Sequence, residues 1–157
     1  MVDLDVAYVP TPKHIVSQML TLAQLRRDEV LFDLGAGDGR IMIEAARTFG
    51  ARVTGIEIDP ERVERIRHRL QSTGVKAQII QADFMNADLS SADVIAIYLS
   101  DSVNAKLGPK LQHDLKAGAR VVSLDYALPS WVSQKELVVE GAVPRRLILY
   151  RVSKMRK

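Results

Sequence analysis

The run Val30-Leu31-Phe32-Asp33-Leu34 is short and apolar. It ends in Gly35-Ala36-Gly37-Asp38-Gly39-Arg40, and the largely apolar stretch Ile41 to Phe49 follows. A buried strand that feeds a glycine turn and then a helix is the unit from which parallel sheets are built, because a parallel neighbour requires a crossover. Gly50 can close that helix in a left-handed turn. The alternation then repeats. Arg52 to Ile58 predicts a second strand, and Asp59-Pro60 caps a helix that turns Val63, Ile66 and Leu70 inward and stops at Gly74. Ala77 to Gln81, Asp93 to Leu99 and Arg120 to Leu124 predict three more strands. Asp101 to Leu115 reads as a helix, with a break expected at Gly108-Pro109.

Ahead of these units, Thr11 suits an N-cap and Pro12 a first helical residue, with Ile15, Val16, Met19, Leu20 and Ala23 on one face. Behind them, strands near Ser133 to Val139 and Arg146 to Val152 flank Glu140-Gly141-Ala142-Val143-Pro144, a link suited to an antiparallel hairpin. Five strand–helix units ending in a hairpin predict an α/β fold. The expected form is a doubly wound, mostly parallel seven-stranded sheet with one antiparallel strand near the C-terminal edge and no lid domain. Residues 1–157 are expected to be one domain, with 1–26 a loop and helix and 27–157 the sheet core.

Composition excludes several classes. The chain has 157 residues, 47% of them hydrophobic and 26% charged, the balance of an ordinary globular domain. Its longest apolar run, Val94 to Leu99, has six residues against the ~20 of a membrane span. The acidic start at Asp3 and Asp5 does not resemble a secretory leader, so a cytoplasmic protein with no membrane partner is expected. With no cysteine, there is no disulfide, thiolate metal site or cysteine nucleophile. His14, His68 and His113 lack metal-ligand spacing, so no metal is expected. Net charge is only +3; Arg145, Arg146, Arg151, Lys154, Arg156 and Lys157 concentrate cations late in the chain and read as a solvated edge.

In open parallel sheets, ligands collect at the carboxyl ends of the strands where the order reverses. The chain's polar clusters fall at such ends. Around Gly35, Ala36 and Gly37, the spacing departs from a dinucleotide fingerprint, whose third glycine would stand where Arg40 is. Asp33 and Asp38 flank the turn. They would repel a diphosphate and attract an ammonium or sulfonium, and S-adenosylmethionine carries both cations and no phosphate. Glu57, with Ile58 beside it, lies twenty residues after Gly37, where an acid reaches a ribose diol. Each such charge-assisted hydrogen bond contributes ~1.5–3 kcal/mol. Asp83-Phe84 can present a carboxylate and a backbone amide to an adenine ring. Tyr98, ending the fourth strand, either lines an acceptor channel or closes the core edge with a wet hydroxyl.

The set Asp33 to Arg40, Gly55-Ile56-Glu57 and Asp83-Phe84 resembles class I S-adenosylmethionine-dependent methyltransferases over nearly the whole chain. Tyr8-Val9-Pro10-Thr11-Pro12, Tyr98-Leu99-Ser100 and Leu115 to Ser123 narrow the resemblance. They are similar to the small lidless protein-lysine methyltransferases of archaea and bacteria, related to mitochondrial lysine methyltransferases of eukaryotes. That resemblance implies that Tyr8, Pro10 and Thr11 fold over the S-adenosylmethionine pocket and that Tyr98 stands beside the incoming amine. It implies a protein partner with an exposed lysine; RNA or a small molecule as acceptor, or cofactor binding without turnover, are the alternatives. The segment Tyr98-Leu99-Ser100-Asp101 departs from another group of lysine methyltransferases, which place an acid three residues before an aromatic there.

Overall fold

In the computed structural model, which describes residues 11–154, β1 (Val30–Leu34) lies in the middle of the sheet. It pairs in parallel with β2 (Arg52–Glu57) on one side and β4 (Val94–Ile97) on the other. β3 (Gln78–Gln81) extends the first side, and β5 (Arg120–Leu124) the second. β7 (Arg145–Arg151) inserts antiparallel between β5 and β6 (Lys135–Val139), so the order is β3-β2-β1-β4-β5-β7-β6. The expected sheet is therefore present, with β7 as its one reversed strand. The order changes direction between β1 and β4, which opens the crevice at their carboxyl ends.

The pleat sorts the core into two layers. Leu31, Val53, Val94 and Ala96 turn to the face packed with Met19 of α1 (Lys13–Leu22), Met42 of α2 (Arg40–Arg47) and Ile66 of α3 (Pro60–Thr73). Phe32, Leu34, Ile95 and Ile97 turn to the face packed with Leu107 and Leu111 of α4 (Asp101–Asp114). Every β4 residue is buried, which is why its sequence is continuous rather than alternating in hydrophobicity.

Three local expectations need correction. Pro12, not Thr11, occupies the N-cap of α1, and Thr11 is instead buried with its carbonyl accepting from Arg40 Nη1 at 2.8 Å. Helix α4 runs through Pro109 without a break. A proline inside a helix costs about 3 kcal/mol, but fully buried Leu107 and Leu111 each return ~1.5–3 kcal/mol. Pro109 and Ala105 are also both exposed, so the carbonyl left without a donor is on the wet side. The units are not all strand–helix pairs: only a 3-10 turn, Phe84–Asn86, joins β3 to β4, and β5 reaches β6 without a helix. Ile80 consequently stays 43% exposed on a sheet face that α4 does not reach. Among the described residues no helix is long and apolar enough to cross a membrane and no further element stands over the carboxyl ends of β1 and β4.

Gly55 sits opposite Asp33 in the β1–β2 register. A methyl group there would overlap the sulfur of fully buried Met42 and come within 3.1 Å of Ala36 Cβ. Gly55→Ala is expected to lower unfolding free energy by about 1–3 kcal/mol in urea titrations.

Candidate active site

The crevice is built on a turn whose shape depends on left-handed backbone. Gly35, Gly37 and Gly39 have φ of 76°, 62° and 83°, conformations that L side chains rarely adopt. The turn is laced to the end of β2: the amides of Gly35 and Ala36 donate to the Ile56 carbonyl at 2.8 and 3.2 Å. Gly37 N–H donates to Glu57 Oε1 at 3.0 Å, and Asp59 N–H to Glu57 Oε2 at 3.1 Å. Glu57 is 3% exposed, with Arg62 Nη1 4.0 Å away. Across the switch point, a side chain at Gly35 would come within 3.2 Å of Leu99, so turn and β4 end are closely packed.

Asp33 is 2% exposed, and its Oδ2 has no hydrogen-bond partner among the described residues. Burial, then the charges of Glu57 and Asp38, push its carboxyl up to about 8. Asp38, expected to stand with Asp33 as a second acid toward the ligand, is instead paired with Arg40 and, at 3.4 Å, with Arg69. Among the described residues, Asp33 and Glu57 are therefore the two buried acids at this end of the sheet. A buried carboxylate oxygen awaiting a partner fits a cationic group, the short glycine turn admits close backbone approach, and diphosphate is disfavoured beside two acids.

The remaining expected residues surround this pair unevenly. Ile58 and Phe84 are half-buried near the ends of β2 and β3. Asp83 is exposed and caps the 3-10 turn, accepting from Met85 N–H at 2.9 Å. Thr11 is joined to the glycine turn through Arg40. Tyr8 and Pro10 lie outside the described residues, as do Arg156 and Lys157. Tyr98 is half-buried just after β4, and Ser100 caps α4 by accepting from Val103 N–H at 3.2 Å.

Sequence reasoning missed the neighbours of Tyr98. Tyr126 stacks on it with ring centroids 6.3 Å apart and planes at 19°, and Arg145 Cζ lies 5.3 Å from its ring centre. Arg145 is no solvated edge residue: its Nε donates to Asp125 Oδ2 at 2.9 Å. Burial works against its charge, but Asp125 and the Tyr98 hydroxyl together outweigh that and raise its pKa. Asp125-Tyr126 follows β5 as Asp83-Phe84 follows β3, and that parallel is the signal that would have found them. The other late cations among the described residues are separately engaged, Arg146 with Glu136 at 2.6 Å, Arg151 with the Gly118 carbonyl, and Lys154 with the Gln112 carbonyl.

The elevated carboxyl makes stability depend on pH. Between the unfolded value of 3.8 and about 8, folded Asp33 holds a proton that the unfolded chain has released. Stability accordingly falls as pH rises through that window and levels off above it. Asp33→Asn is expected to remove this slope and to melt several degrees higher than the native chain at about pH 8.5, with little difference at about pH 4. Thermal melts without ligand check this; parallel curves for the two proteins contradict it.

Residues 33–135 match the ANTKMT methyltransferase domain family. The chain is 38% identical over 149 residues to a protein-lysine N-methyltransferase of Saccharolobus islandicus, covering 92% of each. It is 35% identical over 131 residues to the mouse adenine nucleotide translocase lysine N-methyltransferase, covering 82% of this chain but 56% of that protein. Among solved structures, an RNA methyltransferase from Salinibacter ruber in complex with S-adenosyl-L-homocysteine superposes with a TM-score of 0.90 at 42% identity, over 95% and 97% of the two chains. With that extent of match and this crevice, the chain belongs to the ANTKMT methyltransferase domain family and is an S-adenosylmethionine-dependent methyltransferase.

Proposed function

We propose that the chain methylates lysine side chains of proteins. The observation that carries this reading is a crevice divided in two: buried Asp33 and Glu57 on the β1–β2 side, and the half-buried aromatic Tyr98 at the end of β4, with no covering domain among the described residues. An uncovered mouth suits a lysine that protrudes from a macromolecule. The two lysine-methylating relatives support the same acceptor.

In this reading, S-adenosylmethionine brings a methyl group on a sulfonium, and the acceptor nitrogen's lone pair forms the new C–N bond as the S–C bond breaks with its electrons left on sulfur. The chain's part is to bind and align. Asp33 faces the cationic portion of the donor, with the backbone of Gly35, Ala36 and Gly37 alongside. Glu57 accepts from the ribose hydroxyls, with Ile58 flanking it. Asp83 and the Phe84 amide address the adenine, while Asp38 and Thr11 hold the turn through Arg40. Tyr98 orients the amine. Alignment of this kind supplies about 7–11 kcal/mol of a barrier. A lysine must first lose a proton from an unperturbed pKa of ~10.4. That proton goes to solvent at the open mouth.

RNA is the second reading, favoured by the name of the Salinibacter protein. Its electrostatic footprint would be a basic stripe. Among the described residues the cations bordering the site each lie against an acid, Arg40 and Arg69 sharing Asp38, Arg145 beside Asp125 and Arg146 beside Glu136, so they form no continuous basic stripe even though the Arg145 guanidinium still faces the Tyr98 ring. Protein is therefore the better acceptor.

Incubating a cell lysate with the enzyme and radiolabelled S-adenosylmethionine is expected to give label that protease releases and ribonuclease does not; label released by ribonuclease would overturn the reading. Glu57→Gln is expected to weaken S-adenosylmethionine binding at least about tenfold in calorimetry while the fold survives. Tyr98→Ala should cut turnover more than it cuts donor affinity, and equal turnover in the two proteins would reduce Tyr98 to packing.

A further inference from the structure

The backbone after β5 is held in a shape that packing alone does not require. Asp125 has φ of 65°, a left-handed conformation unusual for a residue with a side chain. Several groups fix it. Its amide donates to the Arg146 carbonyl at 2.7 Å, and Oδ1 accepts from the Arg146 amide at 3.0 Å. Next to it, the Tyr126 carbonyl accepts from Ser123 Oγ and, at 3.2 Å, from Nδ2 of fully buried Asn104 on α4. The result is a rigid bracket that lays Tyr126 on Tyr98 and holds Asp125 against Arg145. Arg145, in turn, sits over the Tyr98 ring, where an approaching lysine ammonium would gain its own cation–π contact.

We propose that the Arg145–Asp125 pair selects the neutral form of the acceptor lysine, with Arg145 holding the cationic place beside Tyr98 and Asp125 moderating its charge. This rests on the reading of Tyr98 as the residue at the acceptor amine. A fixed guanidinium, which stays charged at any working pH, disfavours an ammonium nearby and leaves a neutral amine unpenalised. The lysine pKa at the mouth therefore falls, and no dedicated base is needed. Further charged groups among the described residues lie on the elements flanking this bracket. On the hairpin, Arg146 is paired with Glu136, and Val139, opposite Arg145 in β6, is apolar. Helix α4 carries Asp101 in its first turn, and Asp33 lies on β1 beyond β4.

The test is the pH dependence of kcat for an unstructured lysine-containing peptide, with peptide and S-adenosylmethionine both saturating, so that the profile reports the amine bound at the mouth and Asp33 does not enter. In the native enzyme the rate rises with pH as the amine loses its proton. Arg145→Gln is expected to move that rise up by about one pH unit. The variant would then be about tenfold slower near neutrality and recover fully at high pH, while Arg145→Lys keeps the native profile. Asp125→Asn should move the rise the other way, because it leaves the guanidinium uncompensated while asparagine keeps the left-handed backbone. This second variant decides the matter if Arg145→Gln does not fold. A loss by the same factor at every pH, or an unmoved profile in Asp125→Asn, overturns the proposal and leaves the acceptor reading standing. Native turnover in Tyr98→Ala removes that reading itself, and this proposal with it.

Discussion

Glu57 makes the crevice possible. Its two carboxylate oxygens accept from the amides of Gly37 and Asp59, so one buried side chain ties the glycine turn to the start of α3. Without the first of those bonds, the left-handed turn would carry the buried Gly37 amide with no acceptor, at a cost of about 1–3 kcal/mol. Glu57 is also the acid that our reading assigns to the ribose. One carboxylate thus shapes the turn and addresses the ligand, and the site is preorganised because its wall is part of the backbone hydrogen bonding. Arg40 continues the same logic outward, joining Asp38 at the turn to the Thr11 carbonyl and so docking the entry to α1 on the site.

Asp33 is the counterweight. A buried carboxyl raised to about 8 is a local loss of stability, and our reading places it where a cation would bind. The surrounding sheet offsets it: β1 is central, paired on both sides and packed on both faces. On the opposite side of the switch point, the strain of Asp125 is similarly over-determined by Asn104, Ser123 and Arg146. Donor side and acceptor side each concentrate an unfavourable feature on a strand end, and the continuous core beneath them keeps both in register. In our reading, that arrangement presents a donor surface and an acceptor surface with no domain among the described residues to enclose them.

Much of this was legible in the residues. The Asp59-Pro60 start and Gly74 stop of α3 follow from local chemistry, since an aspartate cap, a proline at the first turn and a left-handed glycine need no tertiary help. The limits of β1 and β5 came from apolar runs with turn residues at their ends. Thr11 and Pro109 misled because tertiary contacts outweighed local preference: Arg40 claims the Thr11 carbonyl, and the burial of Leu107 and Leu111 carries α4 through the proline. Asp38 has partners that local sequence does not show. Proximity in sequence placed it with Asp33, but Arg69, thirty-one residues away on α3, helps to pair it instead.

The glycine turn and the alternation of elements therefore determined the fold from sequence alone, because each depends on backbone geometry within a few residues. Which acids face the crevice was decided only by tertiary structure, and so was the bracket of Tyr98, Tyr126, Arg145 and Asp125. Those groups come from three different strand ends, β4, β5 and the reversed β7, and charges separated by tens of residues pair according to where packing leaves them. Electrostatic partners act over ångströms in space, and distance along the chain does not record that.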